Sequence, residues 1–142
     1  MANPELAAEA DPATVEFWAR QVLDGEGQDV VSLSVTFLPE TEMQHLNASA
    51  RGRDHATDVI AFRLTHVDRL AGDIYICPAM ARRDAAAERV PTREELLRLV
   101  VHGVLHVVGH DHPEGEDRTS SPMWIRQEDY VARLAAAGDR ER

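Results

Sequence analysis

Apolar residues recur along this chain at two periods, and the switches between them mark out its elements. Over residues 13–23, Val15, Trp18, Val22 and Leu23 fall at helical spacing, and the run stops at Asp24-Gly25, which predicts a short amphipathic helix. From Val30 to Leu38 the period drops to two. Val31, Leu33, Val35 and Phe37 share one face, with Ser32, Ser34 and Thr36 on the other, as in a strand with one partly polar side. Residues 39–50 return to helical spacing through Met43 and Leu46. Two shorter strands are predicted over 58–62 and 71–77, joined by a polar loop, and then an alanine-rich helix over 78–89 that Pro91 closes off. Thr92 and Glu95 stand at capping-box spacing at the start of the next helix. Between Glu94 and Val108 this helix carries Leu97, Val100, Val101, Val104, Leu105 and Val108 around most of its circumference, the pattern of a buried helix. A loop over 113–122 leads to a last helix, 123–136, with Trp124, Tyr130 and Leu134 at or near its packing face. Helices alternating with three or four strands predict a layered α/β domain with a small sheet, one face of which the buried helix can cover.

At 142 residues the chain is expected to form one domain, residues 13–137, between an acidic tail (1–12) and a short end segment (138–142). No apolar run approaches the ~20 residues that span a bilayer. The first residues are acidic and alanine-rich, without the apolar region of a signal peptide. A lone cysteine, Cys77, makes a cytoplasmic location the expectation, with the thiol buried at a strand end. The net charge of -10 argues against a nucleic-acid partner. Its distribution changes that picture: residues 51–83 hold six arginines against four acids and form the one segment with a positive balance. Every basic residue in the chain is arginine, whose fork suits phosphate.

The candidate chemistry lies in the buried helix and just beyond it, in the run His102-Gly103-Val104-Leu105-His106-Val107-Val108-Gly109-His110-Asp111-His112. Histidines four apart share a helix face, their Cα atoms roughly 6 Å apart along the axis, so both imidazoles can reach one ion. Gly109 can take the positive φ that reverses the chain and returns His112 as a third ligand. Imidazoles in an apolar setting need partners, and a zinc ion supplies them; nickel or cobalt would suit the same ligands. Three protein ligands leave a fourth tetrahedral position open, the mark of a catalytic zinc site. The spacing is that of the metzincin proteases, H-E-x-x-H-x-x-G-x-x-H. The glutamate that serves them as general base is here Gly103, so peptide hydrolysis of that kind is disfavoured.

Further segments converge with this run: Leu46-Asn47, Arg51-Gly52-Arg53-Asp54, Thr57-Asp58-Val59-Ile60-Ala61-Phe62 and Gly72-Asp73-Ile74-Tyr75-Ile76. In this order they resemble the YbeY family, bacterial metal-dependent endoribonucleases of rRNA maturation and ribosome quality control. The resemblance runs from about Val30 to Tyr130, and the histidine segment fits the family's H-G-x-L-H-x-x-G-x-D-H at every fixed position. Met123 and Glu128 also look like the family pattern. The resemblance implies a small mixed β-sheet flanked by helices. The expectation is thus an α/β (α+β-like) fold of about four strands, with a buried central helix carrying the zinc-binding histidines. It further implies one Zn2+ on His102, His106 and His112, with Arg51 and His102 as candidate catalytic residues, and single-stranded RNA and the small ribosomal subunit with its proteins as partners. Four positions depart from the family: Ala50 stands where tyrosine is frequent, and Ala56, Ala61 and Arg63 replace two prolines and a serine.

The reaction expected is cleavage of RNA phosphodiester bonds. Zinc can lower the pKa of bound water to ~7 and polarise a phosphoryl oxygen, while Arg51 stabilises the charge that builds on phosphorus. Zinc hydroxide or the RNA 2′-OH are both open as the attacking group. A zinc-stabilised, non-catalytic ribosome-assembly factor is the competing reading, and a metzincin-like hydrolase a third. Of the remaining polar residues, His110 reads as an exposed loop residue and Asp111 as a loop anchor. Arg53 reads as surface charge, and Asp58 and Asp73 as turn or cap residues. Arg98, one turn before His102, is in position to line a cleft.

Overall fold

The computed structural model describes residues 8–28, 31–66, 69–110 and 121–137. Its elements are α1 (Pro12–Gly25), β1 (Val31–Phe37), α2 (Glu40–Arg51), β2 (Val59–His66), β3 (Arg69–Ile76), α3 (Pro78–Glu88), α4 (Thr92–Val107) and α5 (Pro122–Ala137). The sheet is mixed, in the order β1-β3-β2. β1 runs parallel to β3, with Val31 opposite Leu70 and Phe37 opposite Ile76. β2 runs antiparallel to β3, with Val59 opposite Ile76 and His66 opposite Arg69.

The expectation of about four strands is corrected to three among the described residues. Residues 63–66 and 69–70, expected in a polar loop, extend one long hairpin instead. Arg63 and Leu64 are exposed, so the alternation that identifies a half-buried strand is lost there although the ladder continues.

Helix α4 is the centre of the molecule. It packs against β2 and β3 on one side and against α1, α3 and α5 on the others. Leu96, Val100, Val101, Val104, Leu105 and Val107 have no exposed surface. The helix starts without the expected capping box: Pro91 occupies the N-cap with no side-chain hydrogen bond, and Glu95 turns to Arg98, 2.8 Å away. Residues 8–11, within the segment expected as a tail, lie against the body. Ala10 is buried, Glu9 pairs with Arg82 at 2.9 Å, and the Glu9 carbonyl accepts from Arg93 Nη1 at 3.1 Å. Among the described residues no helix is long and apolar enough to cross a membrane. Cys77 is fully buried at the junction of β3 and α3.

Gly103 sets how closely α4 approaches the sheet. A Cβ at this position would lie 2.7 Å from Ile74 Cγ2 and 3.0 Å from Ile74 Cδ1 on β3. The position that bears glutamate in the proteases therefore faces the sheet here and has no room for a side chain. Gly103→Ala is expected to force α4 outward and to cost ~1–3 kcal/mol through overpacking, despite alanine's better helix propensity. Urea unfolding of the two proteins would measure this, and a neutral or stabilising effect would show that the α4–β3 seat is loose.

Candidate functional site

His102 and His106 are half-buried on one face of α4, their ring centroids 6.2 Å apart and their planes inclined by 29°. Each uses Nδ1 in a hydrogen bond to an oxygen that can only accept. His102 Nδ1 donates to Gln127 Oε1 at 2.8 Å. The orientation of the Gln127 amide is fixed in turn, because its Nε2 donates to Glu128 Oε2 at 3.1 Å and Glu128 is held by Arg98 Nε at 2.8 Å. His106 Nδ1 donates to the carbonyl of His110 at 3.0 Å. In both rings the proton is thus on Nδ1 and the basic lone pair on Nε2, the tautomer of a histidine that binds metal through Nε2.

The turn that brings the His110 carbonyl back to His106 depends on Gly109. Its φ is 110°, a conformation closed to ordinary L residues, and it lets His110 N–H bond to the Leu105 carbonyl at 2.9 Å. The predicted reversal after the helix is present. Asp111 and His112 lie outside the described residues. His110 is not a solvated loop residue, as expected from the sequence: its Nε2 donates to Glu26 Oε1 at 2.7 Å.

A cleft of about 1190 Å³ opens beside His102. Arg51, the last residue of α2, lines it together with Arg53, Arg98, Asp58, Asp84, Glu95 and Gln127. Arg51 and His102, paired as candidates in the sequence, therefore share one cavity, and Arg98 lines it too. The loop that follows Arg51 is tied down by buried Asn47, whose Nδ2 donates to the His55 carbonyl at 2.8 Å. Asp73 accepts from Ser34 Oγ at 2.7 Å across the β1–β3 pair.

The expectation that the converging ligand group is the histidine set of α4 is corrected for the described residues. Among the described residues the group of potential metal ligands that converges is acidic: Asp58, Asp84 and Glu95 place ligand oxygens within 4.8 Å of one another. Asp58, expected to be a turn residue, belongs to it. Two described imidazoles one helical turn apart do not make a three-ligand group, and the third motif histidine is outside the described residues. Burial, and then a hydrogen bond to Asp58, push the Asp84 carboxyl up to about 7, so near neutrality Asp84 is partly protonated. Burial pushes Glu95 up as well, against the opposing hydrogen bond from Arg98. Asp84 and Gln127 carry no signal in one sequence: they come to the cleft from α3 and α5, and neither lies in a spaced motif.

The comparisons with known proteins bear on this arrangement. The model of the family described as Endoribonuclease YbeY matches residues 2–135. The chain belongs to the YbeY family. Its relatives include an Endoribonuclease YbeY of Thermotoga sp. (strain RQ2), 41% identical over 101 residues that cover 71% of this chain and 66% of that protein. Another, from Syntrophotalea carbinolica, is 31% identical over 138 residues, covering 93% of this chain and 89% of the relative. The solution structure of TM1509 from Thermotoga maritima superposes with a TM-score of 0.65 at 30% identity, covering 98% of this chain and 91% of its own. Membership of the YbeY family was legible in the ordered motifs; the acidic side of the cleft was not.

The Asp84 carboxyl has a pH consequence. Its pKa in the folded chain is about 7 against an ordinary value of 3.8. The folded state therefore binds more protons than the unfolded state between those values, and stability falls as pH rises through that window. Asp84→Asn has no proton to lose. Its melting temperature is expected to match wild type near pH 4 and to exceed it increasingly toward pH 7, with a constant gap above. Parallel melting curves across pH would show no divergence if Asp84 ionises freely.

Proposed function

We propose that this protein is a metal-dependent endoribonuclease that cuts single-stranded RNA. We place it in the cytoplasm, in maturation of the small-subunit rRNA 3′ end and in ribosome quality control, with the ribosomal subunit and its proteins as partners. The observation that carries the reading is the shared cleft of Arg51 and His102, with the His102 tautomer fixed by Gln127.

His102, His106 and His112 are the proposed ligands of one Zn2+. The two described histidines fit that ion: both have Nδ1 committed to an acceptor, which leaves Nε2 as the ligating nitrogen, and imidazole is a preferred zinc donor. When bound, zinc supplies a Lewis acid for a phosphoryl oxygen and a nucleophile at neutral pH. Arg51 is exposed at the cleft and offers its planar fork to two phosphate oxygens, neutralising charge that accumulates at phosphorus as the new bond forms. Gln127 and the His110 carbonyl keep the two imidazoles in one tautomer and orientation throughout. Asp84, partly protonated near neutrality, reduces the negative charge that an incoming phosphate meets.

An end-labelled single-stranded rRNA fragment, incubated with identically purified wild type, His106→Ala and Arg51→Ala, tests the assignment. Wild type is expected to make defined cuts that His106→Ala loses. Arg51→Ala is expected to lower kcat/KM by about 10²-fold, the usual scale for removing one group that stabilises transition-state charge, while zinc content is unchanged. Equal cleavage by all three, or none by any, would replace this reading with a zinc-stabilised assembly factor.

A further inference from the structure

Glu26 is the C-cap of α1, where the helix dipole disfavours an acid, and its side chain is only 6% exposed. A carboxylate in such a place is costly unless donors surround it. Three do, from two other parts of the fold. Tyr130 Oη donates to Oε2 at 2.7 Å, Arg126 Nε donates to the same oxygen at 2.6 Å, and His110 Nε2 donates to Oε1 at 2.7 Å. Burial would raise the Glu26 carboxyl, but the bonds from Tyr130, His110 and Arg126 outweigh it and hold the group below its usual range, so it is anionic at neutral pH.

Arg126 and Tyr130 come from α5, and His110 from the turn after α4. Glu26 thus joins α1, α5 and that turn at a single point. The backbone carbonyl of the same His110 is the acceptor that fixes the His106 ring.

We propose that Glu26 is a positioning residue for the metal site, acting through His110 to set the tautomer and orientation of His106. The inference rests on the assignment of His106 as a zinc ligand. The His110 ring, gripped by Glu26, fixes its own residue in space, and the carbonyl of that residue is then held 3.0 Å from His106 Nδ1. Without the grip, the turn has Gly109 on one side and loses its side-chain tether, so the carbonyl drifts and the Nδ1 proton is free to move to Nε2. A ligand histidine that spends time in the wrong tautomer binds metal less tightly, and loss of such outer partners costs roughly 10–100-fold in affinity. Tyr130 and Arg126 supply the rigidity: they anchor Glu26 to α5, whose residue Gln127 holds His102. Both described histidines are therefore referred to the same helix.

The test uses the full chain, as wild type, Glu26→Ala, Glu26→Gln and His110→Phe. Zinc affinity is measured by competition with a chromophoric chelator, the His106 tautomer by long-range 1H–15N NMR on metal-free protein, and melting temperature alongside. Glu26→Ala and His110→Phe are expected to lose roughly 10–100-fold in zinc affinity. In both, the His106 ring is expected to pass from a pure Nδ1–H form to a mixture. Glu26→Gln keeps an acceptor for His110 and is expected to recover part of both. His110→Phe retains the ring shape, so it decides the question if Glu26→Ala does not fold. Variants that melt earlier yet keep wild-type zinc affinity and a pure His106 tautomer would overturn the proposal and leave Glu26 a structural tether. Failure of wild type to bind zinc would overturn the ligand assignment instead, and the NMR on metal-free protein would still decide whether Glu26 sets His106.

Discussion

The close seat of α4 on β3 is the constraint on which the rest of this structure depends. An α-helix buried on nearly all sides has to place any polar side chains along the narrow line where it is not covered by apolar neighbours. Gly103 lets the helix come down onto Ile74, and the residues on either side of it then determine what faces out. His102 and His106 are half-buried along that line, while Val101, Val104 and Leu105 are fully enclosed. A larger residue at 103 would lift the helix and turn the histidines away from both sets of partners at once. The glycine that removes the protease base is thus the same glycine that makes this packing possible.

Two imidazoles on such a helix need oxygen acceptors, and the fold provides them from different directions. His102 is served by a chain of side chains, from Arg98 through Glu128 to Gln127. His106 is served by a backbone carbonyl, whose position depends on the turn at Gly109 and on the hold of Glu26 over His110. Each chain ends in a carboxylate paired with arginine, Glu128 with Arg98 and Glu26 with Arg126. A fixed charge pair is a stiff terminus, because moving it would strand a charge in a partly desolvated setting. Both chains also pass through α5, so the last helix of the described structure orients the histidines without carrying any of them.

What could be seen in the sequence follows from which interactions are local. The helices and strands were legible because burial leaves a period, and Gly109 because only certain residues accept positive φ. The histidine spacing and the ordered motifs identified the family. The long β2–β3 hairpin was not legible beyond Phe62, because Arg63 and Leu64 face solvent together and blur the alternation. The Thr92–Glu95 capping box failed for a tertiary reason: Glu95 is more usefully spent on Arg98, which already anchors Glu128. Asp84, Gln127 and Glu26 were invisible as site residues because the partners that tie them to the site, Asp58, His102 and His110, are far away in the chain, and one chain offers no rule for such pairings.

The acidity of the chain, ill suited to the proposed RNA substrate, is offset in part by where the charges are satisfied. Arg98 lies among Glu94, Glu95 and Glu128 and offsets part of their charge within the protein. Asp84 is partly protonated near neutrality and so presents less than its formal charge. Arg51 and Arg53 are exposed at the same cleft beside one exposed carboxylate, Glu88, so two guanidinium groups are accessible to a phosphodiester there although the lining as a whole is rich in carboxylates. Such a surface has little long-range attraction for nucleic acid, since the summed field of the chain is repulsive. For the proposed function it suits a strand delivered to it, in which one phosphate would meet a guanidinium fork at short range. The proposed ribonuclease function of a chain with net charge -10 therefore calls for partners that deliver the strand and leaves selection to the cleft.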